Sequence, residues 1–209
     1  GNPHLEAFSY SVQMWSLPDC EPGTYQDSSG LSVCIEAPPG SYANDPSATS
    51  ATVCPPGTHQ PESGQATCME AAAGHFVEEA GSTSQISCPA GTYNPYAGAT
   101  SIFDCIVTPA GGYSAEGSAS YDNCPAGTYG PSTGATSDSA CIQVSPGQYS
   151  EEGSPSPVNC PPGTYQPSSG QSSCLGTTPG HYTSDAGQSE QISAPLDEYV
   201  SGTASSSTQ

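Results

Sequence analysis

Ten cysteines fall into five pairs, Cys20/Cys34, Cys54/Cys68, Cys88/Cys105, Cys124/Cys141 and Cys160/Cys174, and two kinds of chemistry are open to them. They can hold a soft metal ion as thiolates, or they can oxidise to disulfides. No pair has the C-x2-4-C spacing of a zinc knuckle, and the four histidines do not fall beside the cysteines in any regular way, so no metal and no cofactor is expected. Disulfides in register place the chain in an oxidising compartment, extracellular or at a cell surface.

Carboxylates are the other chemically active groups. Twenty Asp and Glu stand against no Lys or Arg, a formal charge of −20. Such a chain repels phosphate backbones and anionic lipid, which argues against nucleic acid and anionic membrane surfaces as partners. One acidic residue recurs three positions after an aromatic, at Asp45, Glu79, Glu116, Glu152 and Asp185. A calcium site wants about six to eight oxygens, and no D-x-D-x-D loop occurs, so this row reads as a solvated face. Glu78/Glu79 and Glu151/Glu152 could act as acid and base only in a pocket, which the sequence does not supply. With no G-x-S-x-G, H-E-x-x-H or phosphate loop either, an enzyme is not expected. His75 and His181 read as surface residues. No N-x-[ST] sequon is present, but about a quarter of the residues are Ser or Thr, many beside Pro, which makes O-linked glycan the expected decoration. No apolar run approaches the roughly 18 residues that span a bilayer, and the first residues lack a basic region. The chain reads as an ectodomain or subunit whose targeting segment, if any, lies outside it.

The elements that must position these groups are repeats. Each pair opens on a copy of C-P-x-G-T-Y, as at Cys88 to Tyr93 and Cys160 to Tyr165, and self-similarity at this period marks a linear array whose units stack on their neighbours. The array divides into repeats at 20–53, 54–87, 88–123, 124–159 and 160–193, with 1–19 before it and an incomplete repeat and polar tail at 194–209. Each repeat splits again, because G-x-aromatic and a later glycine return without the leading cysteine, as at Gly147-Gln-Tyr149 to Gly153. An aromatic ladder results, comprising Tyr25, Tyr42, Phe76, Tyr93, Tyr113, Tyr129, Tyr149, Tyr165 and Tyr182, with His59 in one slot. These rings are expected to pack successive turns together. Pro61, Pro95, Pro131 and Pro167, each followed by Gly three residues later, are turn chemistry. Every half-repeat therefore reads as a small hairpin, helices are not expected, and the fold class is an all-β, disulfide-stapled, solenoid-like rod. Stacking at ~4.8 Å per strand would give a length of roughly 100 Å. Leu, Ile, Val and Phe make up only about a tenth of the 209 residues, too little to fold by apolar burial alone. Cross-links that remove roughly 3 kcal/mol of unfolded-state entropy each make up for the missing burial.

Two pairing schemes fit the spacing. One joins the cysteines within each first half; the other links the second cysteine to the next repeat, such as Cys34 to Cys54. The phrases Cys160-Pro-Pro-Gly-Thr-Tyr165-Gln-Pro-Ser-Ser-Gly170 and Cys124-Pro-Ala-Gly-Thr-Tyr129 resemble the ephrin-receptor-like cysteine-rich repeat over about residues 20–190. The resemblance implies a module used in tandem in extracellular receptors, adhesins and microbial surface proteins, and says little of what it binds. Members commonly carry a second cysteine pair per unit. This chain does not, so its second halves must be held by stacking.

The ends differ from the middle. Phe8, Tyr10, Val12 and Met14 alternate with Ser9, Ser11 and Gln13, the period of a strand with one buried face. At the other end Gln191 to Tyr199 aligns with Gln85 to Tyr93, but Ala194 stands where a cysteine is due. The N-terminal strand of one copy could complete the unfinished repeat of another, making head-to-tail copies of this chain its partners in a surface or shed fibril. Alternatively residues 5–17 fold back as a cap on the first repeat, and the chain is a stalk or ligand-binding segment of a larger adhesin or receptor.

Overall fold

The structure, a computed structural model, describes residues 20–27 and 33–195. Phe8, Tyr10, Val12, Met14 and Tyr199 lie outside the described residues. Among the described residues the architecture is an all-β rod of ten antiparallel hairpins, each a separate two-stranded sheet whose strands are two residues long. Numbered in chain order, they pair Thr24–Tyr25 with Ile35–Glu36, Ser41–Tyr42 with Thr52–Val53, Thr58–His59 with Met69–Glu70, His75–Phe76 with Ile86–Ser87 and Thr92–Tyr93 with Ile106–Val107. The series continues with Gly112–Tyr113 and Asp122–Asn123, Thr128–Tyr129 and Ile142–Gln143, Gln148–Tyr149 and Val158–Asn159, Thr164–Tyr165 and Leu175–Gly176, and His181–Tyr182 and Ile192–Ser193.

The repeated phrase accounts for the entry of each odd-numbered hairpin. Thr92 N donates to Pro89 O at 3.0 Å and its Oγ1 to the same oxygen at 2.7 Å. This closes a turn whose third residue, Gly91, has φ +83°. The same hydroxyl bond recurs from Thr24, Thr58, Thr128 and Thr164, which explains the constant Thr of the phrase. The strands stop after two residues because Pro and Gly interrupt them. No continuous ladder forms, and each two-stranded sheet stays separate.

Stacking uses backbone, and it reaches two hairpins along. In the fifth hairpin Gly91 N donates to Ser114 O at 2.8 Å and Asn94 N to Ser118 O at 3.1 Å, both in the sixth. Gly98 N donates backward to Ala71 O of the third at 2.8 Å. Equivalent bonds repeat through the array, so each hairpin is tied to its first and second neighbours. The core is correspondingly thin. One buried column alternates cysteine with small residues, namely Cys54, Ala71, Cys88, Thr108, Cys124, Val144, Cys160 and Thr177. A second column holds the residue after each aromatic, including Gln60, Val77, Asn94, Ser114, Ser150 and Thr183, and is largely polar.

Two expectations need correction. The aromatic rings form no continuous ladder: apart from buried Phe76 they are half-buried, and among the described residues the one ring pair is Tyr93 of the fifth hairpin with Tyr121 of the sixth, 5.2 Å apart. Each ring instead stands across its own hairpin from a mostly aliphatic partner, as Tyr93 from Ile106 and Tyr129 from Ile142. Short helical turns also occur, at Ile102–Asp104 and Asp138–Ala140. They absorb the longer segments before Cys105 and Cys141. The first is capped, with Ser101 Oγ accepting from Phe103 N at 3.2 Å while Asp104 Oδ2 accepts from Thr100 N at 2.9 Å and Ser101 N at 3.0 Å.

Candidate interaction site

The cysteines are structural. Disulfides join Cys20 to Cys34, Cys54 to Cys68, Cys88 to Cys105, Cys124 to Cys141 and Cys160 to Cys174, with Cα atoms 5.5 to 5.8 Å apart. Each closes one odd-numbered hairpin on itself, so Cys34 and Cys54 are not joined. Two even-numbered hairpins span the same gap with a side chain. In the fourth, Gln85 Oε1 accepts from Ala72 N at 2.8 Å, and in the tenth Gln191 Oε1 accepts from Thr178 N at 2.9 Å. Those amides exist because Ala and Thr replace the Pro that follows cysteine in C-P-x-G-T-Y.

The carboxylates serve the turns. Asp45 Oδ1 accepts from Ser47 N at 2.9 Å and Ser47 Oγ at 2.7 Å. The backbone bond first, and the hydroxyl second, hold its carboxyl below the ordinary range. Ser47 occupies the slot of the second glycine, and this turn replaces what glycine does elsewhere. Glu152 Oε1 accepts from Asn123 Nδ2 at 3.3 Å, linking the eighth hairpin to the sixth. A cavity of about 170 Å³ does adjoin Glu78 and Glu79, although the sequence offers none. Glu78 Oε1 is engaged with Ile102 N at 3.3 Å, a positioning bond for the helical turn of the fifth hairpin. No group of three or more His, Cys, Asp or Glu able to share an ion occurs among the described residues.

A larger cavity, about 490 Å³, lies in the loop of the fifth hairpin, with Asn94, Tyr96, Gly98, Thr100, Phe103 and Asp104 in its lining. Three departures from the repeat meet there. In the third and ninth hairpins the buried residue after the aromatic is Gln, whose Nε2 donates across the loop to Thr67 O and Ser173 O at 2.8 Å. Asn94 is one methylene shorter and its loop is longer: Oδ1 accepts from Tyr96 N at 3.1 Å, but Nδ2 has no partner. From the third hairpin on, the second glycine is otherwise covered from two hairpins back. A Cβ placed on Gly64 would lie 3.4 Å from Glu36, and one on Gly134 3.7 Å from Val107, yet on Gly98 it would meet nothing within 4 Å. Finally, Phe103 and Tyr96 are 93% and 71% exposed. The lengthened segment is visible in the sequence, but this site is not among the residues that sequence reasoning singles out. Its signal is Ile102-Phe103-Asp104, where the fourth repeat has Asp138-Ser139-Ala140.

Of the residues expected to carry assembly, Ala194 is described. Its N donates to Gly180 O at 2.8 Å, the bond that Cys160 N makes to Gly147 O at 2.9 Å. Ala194 is half-buried, however, whereas its column is buried elsewhere. No helix among the described residues is long and apolar enough to cross a membrane. Residues 63–105 and 147–192 match the family model described as tyrosine-protein kinase ephrin type A/B receptor-like. No curated protein matches the chain.

Proposed function

We propose that this ephrin-receptor-like, cysteine-rich repeat chain is an extracellular or secreted module that serves as a stiff spacer, the stalk of a receptor-like or adhesin-like assembly. The observation that carries this reading is the double tie of each hairpin. A bend between neighbours must break bonds to the next hairpin and to the one beyond it, so the array resists flexing where a beads-on-a-string chain would not. The charge of −20 keeps such a thin rod soluble, and exposed Ser and Thr offer sites for O-linked glycan. Small-angle scattering tests the reading. Deleting residues 88–123, which rejoins the chain in register at Cys124, is expected to shorten the maximum dimension by about a fifth. An unchanged dimension, or a compact globule before or after deletion, would refute the spacer.

A second reading, a head-to-tail fibril subunit, is favoured by Ala194, which keeps the column's backbone bond while losing its burial. In this reading the Phe8, Tyr10, Val12 and Met14 face of one copy pairs with 194–200 of the next, and Tyr199 fills the aromatic slot. Burying four such side chains contributes on the order of 6 to 10 kcal/mol before association costs. Deletion of residues 1–17 should then abolish sedimenting assemblies while all five disulfides persist. Identical sedimentation of the truncated and full chains removes the fibril and leaves the spacer.

A further inference from the structure

We propose that the loop of the fifth hairpin is a docking site for a basic peptide segment of a protein partner. A Lys or Arg side chain of that segment lies along the rings of Tyr96 and Phe103 with its charge at the Asp104 carboxylate. Three observations select this occupant. The two rings are the most exposed aromatics of the described chain, at 71% and 93%, and ring faces attract cations. Asp104 uses Oδ2 for the backbone of Thr100 and Ser101, and the cap holds the carboxylate in place beside Phe103. The charge of −20 with no Lys or Arg draws cationic segments toward the rod and repels anionic ones.

The same composition decides what the partner is not. A second copy of this chain has no Lys or Arg to offer, so the site cannot serve assembly of copies through such a side chain. The seventh hairpin supplies an internal control. Its loop has the same length and the same kind of helical turn, but Gly130 replaces Asn94, Ser139 replaces Phe103, and Val107 covers Gly134. Generic attraction of cations to an acidic rod would treat the two loops alike.

The test is a nuclear magnetic resonance titration of the oxidised full chain with the peptide acetyl-Gly-Lys-Gly-amide. Shifts are expected at the Asn94 side-chain amide, Gly98 and Phe103, with none at Gly134 or Asp138, and they should weaken on raising salt to about 0.15 M. Replacing the lysine by acetyl-lysine should cost about tenfold in affinity. Phe103→Ala should do the same with spectra elsewhere unchanged, since that ring supports no core. Four results would overturn the proposal: no response at all, equal shifts in the seventh hairpin, equal binding of the acetyl-lysine peptide, or occupancy of the site by the neutral disaccharide maltose. None of these bears on the spacer reading, which rests on the dimensions of the rod.

Discussion

Full reduction is expected to unfold the chain from end to end. The disulfides close loops with cysteines 14 or 17 residues apart, each worth about 3 kcal/mol through the unfolded state. Five of them reach the whole net stability of an ordinary domain, which is about 5 to 15 kcal/mol. Little else is present to compensate. Among the described residues the buried columns consist of Cys, Ala, Ser and Thr with two Val, two Gln and one Asn, and Phe76 is the one buried aromatic. Even-numbered hairpins have no cross-link, yet they cannot persist alone, because their backbone bonds run to odd-numbered neighbours on both sides. Circular dichroism with and without reductant, with alkylation to confirm that all ten thiols are free, provides the measurement. A native strand signal surviving in the alkylated protein at ambient temperature would show that backbone stacking suffices, and would sink the claim.

What can be read in the sequence is local. The turn Pro-x-Gly-Thr closes by bonds between residues three apart, so C-P-x-G-T-Y identifies a hairpin entry wherever it occurs, and the ten hairpins follow from the half-repeat. The lengthened segments before Cys105 and Cys141 are visible too, although the turns Ile102–Asp104 and Asp138–Ala140 that absorb them are not. Contacts between hairpins are illegible, because they are made by backbone. Nothing in the letters Gly23 and Gly64 says that the carbonyl of one abuts the other. That gap is why sequence reasoning assigns the stacking to the aromatic rings. They are the conspicuous side chains, yet each stands across its own hairpin, and Tyr93 with Tyr121 is the one ring pair between hairpins among the described residues. The cavity of the fifth hairpin is hidden for a related reason. It arises where Asn94 falls short of a bond that Gln60 and Gln166 complete, a difference of one methylene that has meaning only once the loop is folded.

The backbone contact itself predicts the most damaging single substitution. Gly111, in the uncross-linked sixth hairpin, has φ +91°, and a Cβ there would lie 2.0 Å from Gly153 O and 2.8 Å from Gly153 C of the eighth. Two costs follow for Gly111→Ala. The left-handed backbone disfavours any side chain by about 1 kcal/mol or more, and the methyl must push the eighth hairpin away. That displacement breaks the bond from Gly153 N to Cys124 O, now 2.9 Å, and strains those from Gly111 N to Gly130 O and from Cys124 N to Gly111 O, each 2.8 Å. Together these are expected to cost on the order of 3 to 5 kcal/mol. Gly98→Ala separates the terms. Its φ is +75°, but a Cβ there meets nothing within 4 Å, so the conformational cost alone, about 1 kcal/mol, should appear. Denaturant midpoints of the two oxidised variants measure the difference, and hydrogen exchange at Gly153 should quicken in Gly111→Ala but not in Gly98→Ala. Equal losses would mean that glycine is retained only for its turn. A loss confined to Gly111→Ala means that the rod is held together by carbonyls packed against positions where no side chain fits.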